Sequence, residues 1–356
     1  MKKSLRNSNP KTHLLRLFAF SFVLSTFVFT SCSEETADPE SQDLSGNQAQ
    51  LIELAPDPEE IITIDGVALS PSEEARATTA PGNDRGRFNI TLKYIVPVTE
   101  RQEEVFEDAA ARWERIIIKD VPSFTGTIPS AFTGFPPAVD GTVDDLVIEV
   151  ALAPIDGPGM ILGSAGPRFV RTDDFLTLTG VMFFDVDDLD FLEEIDLFEE
   201  VIVHEMGHVL GVGTLWNVEP FFPRTLLEGP VSNPYFVGNK ANVFWNAEGG
   251  TGFLPIENIG GPGTALGHWR ESLLNNELMT GFLNLGENPL SRITAGSMKD
   301  LGYGTASVGE SYDLPKGTPG VDPGDLSNVG PSEGLNIAEM ETLLQPIGFV
   351  TTSKKK

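Results

Sequence analysis

The chain is short of the residues that do most side-chain chemistry. It has one cysteine, Cys32, in 356 residues, so no intramolecular disulfide can form. It has four histidines: His13, His204, His208 and His268. Basic residues number 24 against 52 acidic ones, giving a net charge of −28. That balance argues against nucleic acid and anionic lipid head groups as partners, since both need basic patches. The apolar run at residues 17–29 is too short to span a bilayer. No internal repeat is visible. Glycine (36) and proline (26) are plentiful, which points to a loop-rich architecture. The length allows one large domain or two ordinary ones.

Lys2, Lys3, Arg6, Lys11 and Arg16 precede the apolar run and no acidic residue does, the pattern of a secretory leader. The run ends at Phe29-Thr30-Ser31-Cys32, which resembles a bacterial lipobox, although Leu is usual where Phe29 stands. Residues 1–32 are therefore expected to be a lipoprotein signal peptide with Cys32 as the lipidated residue. The alternative is ordinary cleavage nearby with an incidental cysteine. Ser33-Glu34-Glu35 resembles the acidic signal that sends lipoproteins outward. The expected location is thus the bacterial outer membrane, lipid-anchored and surface-exposed. Residues 33–85 are acidic and weakly apolar and read as a disordered tether, with a short pro-segment as the other reading.

Residues 86–305 are expected to carry the catalytic fold. Phe88, Ile90, Leu92 and Tyr94 alternate as a strand, and Thr99 with Gln102 opens an amphipathic helix. A loop to about Asp144 follows, then strands at 146–152, 160–165 and 178–184. A helix opened by Asp196 and Glu199 is expected to end at Gly211. Loops should follow, with a helix at 291–301. Residues 306–356 read as a Gly/Pro-rich tail with a short terminal helix at 336–344.

His204-Glu205-Met206-Gly207-His208 lies on the helix that ends at Gly211. An H-E-x-x-H run stacks two imidazoles about 6 Å apart on one face, within reach of a single tetrahedral ion. Glu205 sits too far round the helix to join them as a ligand, yet near enough to touch a water on the metal. Two histidines and a glutamate on a buried apolar helix are costly without a metal, which counts against a purely structural role. With His13 in the leader, the mature chain keeps three histidines, the number a three-histidine zinc site needs. Latency through a thiol on zinc is excluded, Cys32 being the sole cysteine.

Gly211 fits H-E-x-x-H-x-x-G-x-x-H, but Thr214 stands where the last histidine belongs. Further on come Gly267-His268-Trp269-Arg270-Glu271 and Asn276-Glu277-Leu278-Met279-Thr280-Gly281. A helix motif ending in glycine, a long insertion, a His-Trp and a Glu-Leu-Met turn resemble the leishmanolysin family of metzincin metallopeptidases. The stretches 180–185 and 300–303 look like its bacterial members. The resemblance covers roughly residues 86–305. It implies an α+β metzincin-like zincin, with a twisted mixed sheet and the active-site helix in the N-terminal half and a loop-rich C-terminal half. It implies His268 as third zinc ligand and Met279 as the Met-turn residue beneath the metal. The other readings are an exposed loop His268, with Glu219, Glu228 or Glu271 completing the site, and Met279 as an ordinary core methionine. Leishmanolysin is rich in disulfides and this chain has none, so the likeness lies in the catalytic framework.

The expected function is that of a zinc endopeptidase acting on extracellular proteins, with Glu205 as general base and one catalytic Zn2+. The alternative is a catalytically inactive, zinc-stabilised surface binding lipoprotein. Substrate is expected to lie along the 160–165 strand edge, with Phe282 and Leu283 as candidate pocket residues. The acids 185–190 lack the glycine and glutamate of a calcium loop and read as strand-exit charge. Trp216, Trp245 and Trp269 read as core or loop aromatics before a sugar-binding surface.

Overall fold

The computed structural model describes residues 50–53, 75–77, 86–218, 224–260, 265–314 and 334–351. The leader, Cys32 and Glu219 lie outside these residues. Strands β1 (Gln50–Glu53), β2 (Ala75–Ala77) and β3 (Ile90–Tyr94) precede helix α1 (Glu100–Ile116). Next come β4 (Ile117–Lys119), β5 (Phe124–Ile128), β6 (Val139–Val143), β7 (Leu146–Ala153), β8 (Gly163–Arg171) and β9 (Thr177–Asp185). Helices α2 (Leu189–Glu194) and α3 (Phe198–Leu210) follow. The later half holds β10 (Leu227–Glu228), β11 (Tyr235–Phe236), α4 (Asn239–Ala247), β12 (Leu254–Pro255), α5 (Glu271–Leu274), β13 (Leu283–Asn284), α6 (Arg292–Leu301) and β14 (Gly304–Thr305). It closes with β15 (Gly334–Leu335), β16 (Glu341–Leu343) and β17 (Gly348–Thr351).

One mixed sheet organises the molecule, in the order β1-β17-β8-β9-β7-β3-β2, with β16 also pairing β8. Strands β3, β7 and β9 run parallel, while β8 is antiparallel to β9. The alternation of each strand sorts its side chains onto two faces. Leu146, Ile148, Val150, Met182 and Phe184 face the core shared with α1 and α3, and Val147 and Leu178 face a second cluster under the β5–β6 hairpin. Both faces being covered, β7 and β9 are buried along their whole length.

Helix α1 starts on the expected capping box, Thr99 and Gln102 each bonding the other's backbone. It is fixed to α3 by Trp113, whose indole Nε1 donates to the Val203 carbonyl at 2.8 Å. Helix α3 ends at Gly211, whose φ of +116° favours glycine over any side chain. Tyr303 donates its hydroxyl to the Leu210 carbonyl at 3.1 Å, satisfying one of the orphan acceptors at that end.

Several expectations give way. The loop before Asp144 contains the β5–β6 hairpin, pinned by Phe124, Ile128, Val139 and Val143 at its ends. The expected 160–165 strand is displaced to Gly163–Arg171, with Met160 and Ile161 exposed before it. Asp196 does not cap α3: it takes φ +59° in the turn after α2, and Leu197 is the N-cap. Two strands come from the stretch read as a tether, β1 and β2. Helix α4 was unforeseen because its cap is remote. Asp300 of α6 accepts from the amides of Lys240 and Ala241 at 2.9 Å. The expected helix at 336–344 is instead a single 3-10 turn at Ile337–Glu339 followed by β16. Trp216, Trp245 and Trp269 are buried, so the core reading of these aromatics holds. Among the described residues no helix is long and apolar enough to cross a membrane.

Candidate metal centre

Helix α3 is buried on every side from Val201 to Leu210, and its two histidines open towards the later half of the chain. His204 and His208 place their Nε2 atoms 3.0 Å apart. The third imidazole is that of His268, whose Nε2 lies 3.2 Å from His204 Nε2 and 3.1 Å from His208 Nε2. All three rings are fully buried. The chain reaches this arrangement through a close backbone crossing. Gly213, at φ +74°, packs so tightly on Gly267 that a Cβ there would lie 2.2 Å from the Gly267 carbonyl oxygen. Thr214, where the sequence lacks a histidine, serves the helix end instead, its hydroxyl donating to the His208 carbonyl at 2.6 Å.

The far ring nitrogens set the tautomers. His204 Nδ1 donates to the Leu278 carbonyl at 2.7 Å, and His208 Nδ1 donates to the Val212 carbonyl at 2.9 Å. With those protons on Nδ1, the inward Nε2 atoms carry lone pairs, and lone pairs facing one another repel unless a cation lies between them. Burial holds the His208 imidazole well below its ordinary range, and the neighbouring His204 and His268 rings reinforce this against the opposing Glu341. The spacing also fits: a tetrahedral ion with Zn–N bonds of about 2.0–2.1 Å separates its ligand nitrogens by about 3.3 Å. The three histidines can therefore hold a metal ion.

A fourth donor was not anticipated. Glu341 of β16 is buried with them, its Oε1 2.9 Å from His268 Nε2 and its Oε2 3.5 and 3.6 Å from His204 and His208 Nε2. Ligand atoms of His204, His208, His268 and Glu341 all lie within 4.8 Å of one another. No local pattern marks Glu341, since it sits more than 70 residues from its partners and across a Gly/Pro-rich segment from them. Of the carboxylates considered as substitutes for His268, Glu228 is exposed and Glu271 is not part of the group. Glu205 is wholly buried. Burial first, and the Glu341 carboxylate second, push its carboxyl well above the usual range.

Met279 lies beneath α3, against Gly207. Its turn is organised by Glu277, a buried carboxylate that accepts from Met279 N at 2.7 Å, Ser291 Oγ at 2.6 Å and Thr294 Oγ1 at 2.5 Å. Thr294 also accepts from Trp269 Nε1 at 2.8 Å, and Trp269 N donates to the Met279 carbonyl at 2.9 Å. The residues flanking His268 and those flanking Met279 are thereby one hydrogen-bonded unit.

The family model for leishmanolysin matches residues 117–317, a stretch that holds all three site histidines, Glu205 and Met279. The chain belongs to the leishmanolysin family. No curated protein matches it significantly. Membership makes it a metallopeptidase with a leishmanolysin-like zincin fold, in agreement with the mixed sheet and the placement of α3 against it. Glu341 lies beyond the residues that the leishmanolysin model matches.

Asp185, the acid that ends β9, is satisfied by backbone amides. Asp185 accepts from the amides of Ile155, Asp156 and Gly157 through one oxygen and from Asp187 through the other. Leu283 is buried and Phe282 half-buried, and β13 pairs with β15 beside them.

Proposed function

We propose that the chain is a zinc-dependent endopeptidase of extracellular proteins, carried on the outer membrane by a lipid on Cys32. The observation that carries this reading is the convergence of three buried imidazole Nε2 atoms within 3.0–3.2 Å beside a buried glutamate. His204, His208 and His268 would hold the ion. Neutral, second-bonded imidazoles are the ligands of catalytic zinc. When bound there, zinc supplies Lewis acidity, acidifying a water to a pKa of about 7 and polarising the scissile carbonyl.

Glu205 accepts the proton of the attacking water and passes it to the leaving amine. Met279 packs beneath the histidines as the Met-turn residue, and Gly211 ends the helix so that His208 keeps its turn.

The second reading is an inactive zinc-stabilised binding lipoprotein. Glu341 favours it, since four protein donors make the closed shell of a structural site. Glu205 speaks against it, because a closed structural site has no use for a base.

The test is zinc content and proteolysis of residues 33–356 as wild type, Glu205→Gln and His268→Ala. The expected result is one zinc per chain in wild type and Glu205→Gln. Cleavage should fall by about 100-fold or more in Glu205→Gln. His268→Ala should lose tight zinc binding. Full cleavage by Glu205→Gln would overturn the assignment of the base, and undiminished zinc affinity in His268→Ala would overturn the third ligand.

A further inference from the structure

Strand β8 is the sheet strand that borders the metal centre, and its outer edge is taken by the chain itself. Strand β16 pairs it in parallel, Glu341 opposite Gly163 and Leu343 opposite Ala165, and β17 continues opposite Phe169 to Arg171. Leu162 N donates to the Met340 carbonyl at 2.7 Å and Leu344 N to the Ala165 carbonyl at 2.8 Å. On the other side of the site, β15 pairs β13 just past Met279, and Ala338 N donates to the Gly281 carbonyl at 3.2 Å. Residues 334–344 thus bridge from the Met279 turn to β8, crossing the histidines on the way. At the crossing point it is a side chain, the Glu341 carboxylate, that faces the three imidazoles.

We propose that residues 334–351 are a built-in latency segment, in which Glu341 takes the ligand position needed by the attacking water and β16 takes the sheet edge needed by substrate. This rests on reading the centre as that of a peptidase. Three features make the segment an inhibitor and not a substrate. It runs parallel to β8, it presents a carboxylate at the ion, and Ile337, Leu344 and Val350 bury it on both sides of the crossing. A carboxylate is a good zinc ligand, so an ion bound by three histidines and Glu341 has four protein donors and no open position. Peptide binding by strand addition needs a free edge, and β8 has none while the segment is docked. Activity then requires displacement of the segment, and apparent substrate affinity is lowered by the fraction of molecules in which it is undocked.

The test uses the full mature chain loaded with Co2+ or Zn2+, as wild type, Glu341→Gln and Gly334→Ala. Gln keeps the shape but is a poor ligand. Ala at 334 acts from within the segment, since its Cβ would lie 2.0 Å from the Leu283 carbonyl oxygen. The readouts are acetohydroxamate affinity from the Co2+ visible spectrum, deuterium uptake by residues 334–351, and hydrolysis of casein. Both variants should bind acetohydroxamate and cleave casein at least about tenfold better than wild type. Gly334→Ala should also exchange faster across 334–351. Folded, metal-loaded variants with unchanged hydroxamate affinity and unchanged or lower cleavage would overturn the proposal while leaving the peptidase reading intact. Loss of the ion from Glu341→Gln would overturn it too, making Glu341 a structural ligand. If Glu341→Gln does not fold, Gly334→Ala decides by the same criteria. A wild type that takes up no metal would instead remove the peptidase reading itself, and the latency segment with it.

Discussion

Gly207 packs directly on Met279: a Cβ built there would lie 2.6 Å from Met279 Sδ and 2.9 Å from Trp113 Cζ2. Both neighbours are fully buried. Met279 follows Leu278, whose carbonyl fixes the His204 tautomer at 2.7 Å. Gly207→Ala is therefore expected to destabilise the fold by about 1–3 kcal/mol through overpacking. It should weaken zinc binding as well, because the strain falls on a ligand's hydrogen-bond partner. Urea denaturation and competition with a zinc chelator measure the two effects. Unchanged zinc affinity would mean that the Met279 turn does not position His204.

Glu277 ties the Met279 turn to the start of α6. Its Oε1 alone receives the hydroxyls of Ser291 and Thr294, and its Oε2 receives Met279 N. Burial raises its pKa while these donors act to lower it. Glu277→Leu would leave several buried donors without an acceptor, at roughly 1–3 kcal/mol for each. Glu277→Gln keeps one carbonyl acceptor and should cost clearly less. Thermal melts should rank wild type above Glu277→Gln and Glu277→Leu last. Equal melting temperatures for the two variants would show that the carboxylate is not what holds the turn.

How much of this was legible in the sequence depends on the distance over which each feature is determined. The His204–His208 helix, its end at Gly211, the Thr99 capping box and the strand alternation from Phe88 to Tyr94 are set by neighbours a few residues apart. They could be read directly. His268 was reached through the count of histidines and resemblance to a family, since no local pattern ties it to α3. Helix α4 escaped because its N-terminus is capped from Asp300, some sixty residues away. Strand β16 and Glu341 escaped for the same reason. The stretch has helical character on its own, and only β8 makes it a strand.

Asp145 gives a prediction in pH that does not involve the metal centre. Its carboxylate accepts from Asn89 N and Val121 N, both at 2.7 Å, and so joins the start of β3 to the loop before β5. Burial, aided by Asp144 and Asp120, raises its pKa from 3.8 to about 7 against the lowering effect of those two amides. The folded state thus holds this proton more tightly than the unfolded chain does. The stability linked to it is complete below the unfolded value and is lost as pH rises through about 7. Asparagine cannot titrate but offers only one acceptor oxygen, so Asp145→Asn should be less stable at low pH. Its disadvantage should then shrink between about pH 4 and 8. Melting temperatures of both proteins across that range, compared as a difference so that common metal effects cancel, provide the measurement. A difference that stays constant from pH 4 to 8 would show that Asp145 titrates at its ordinary pKa in the folded protein.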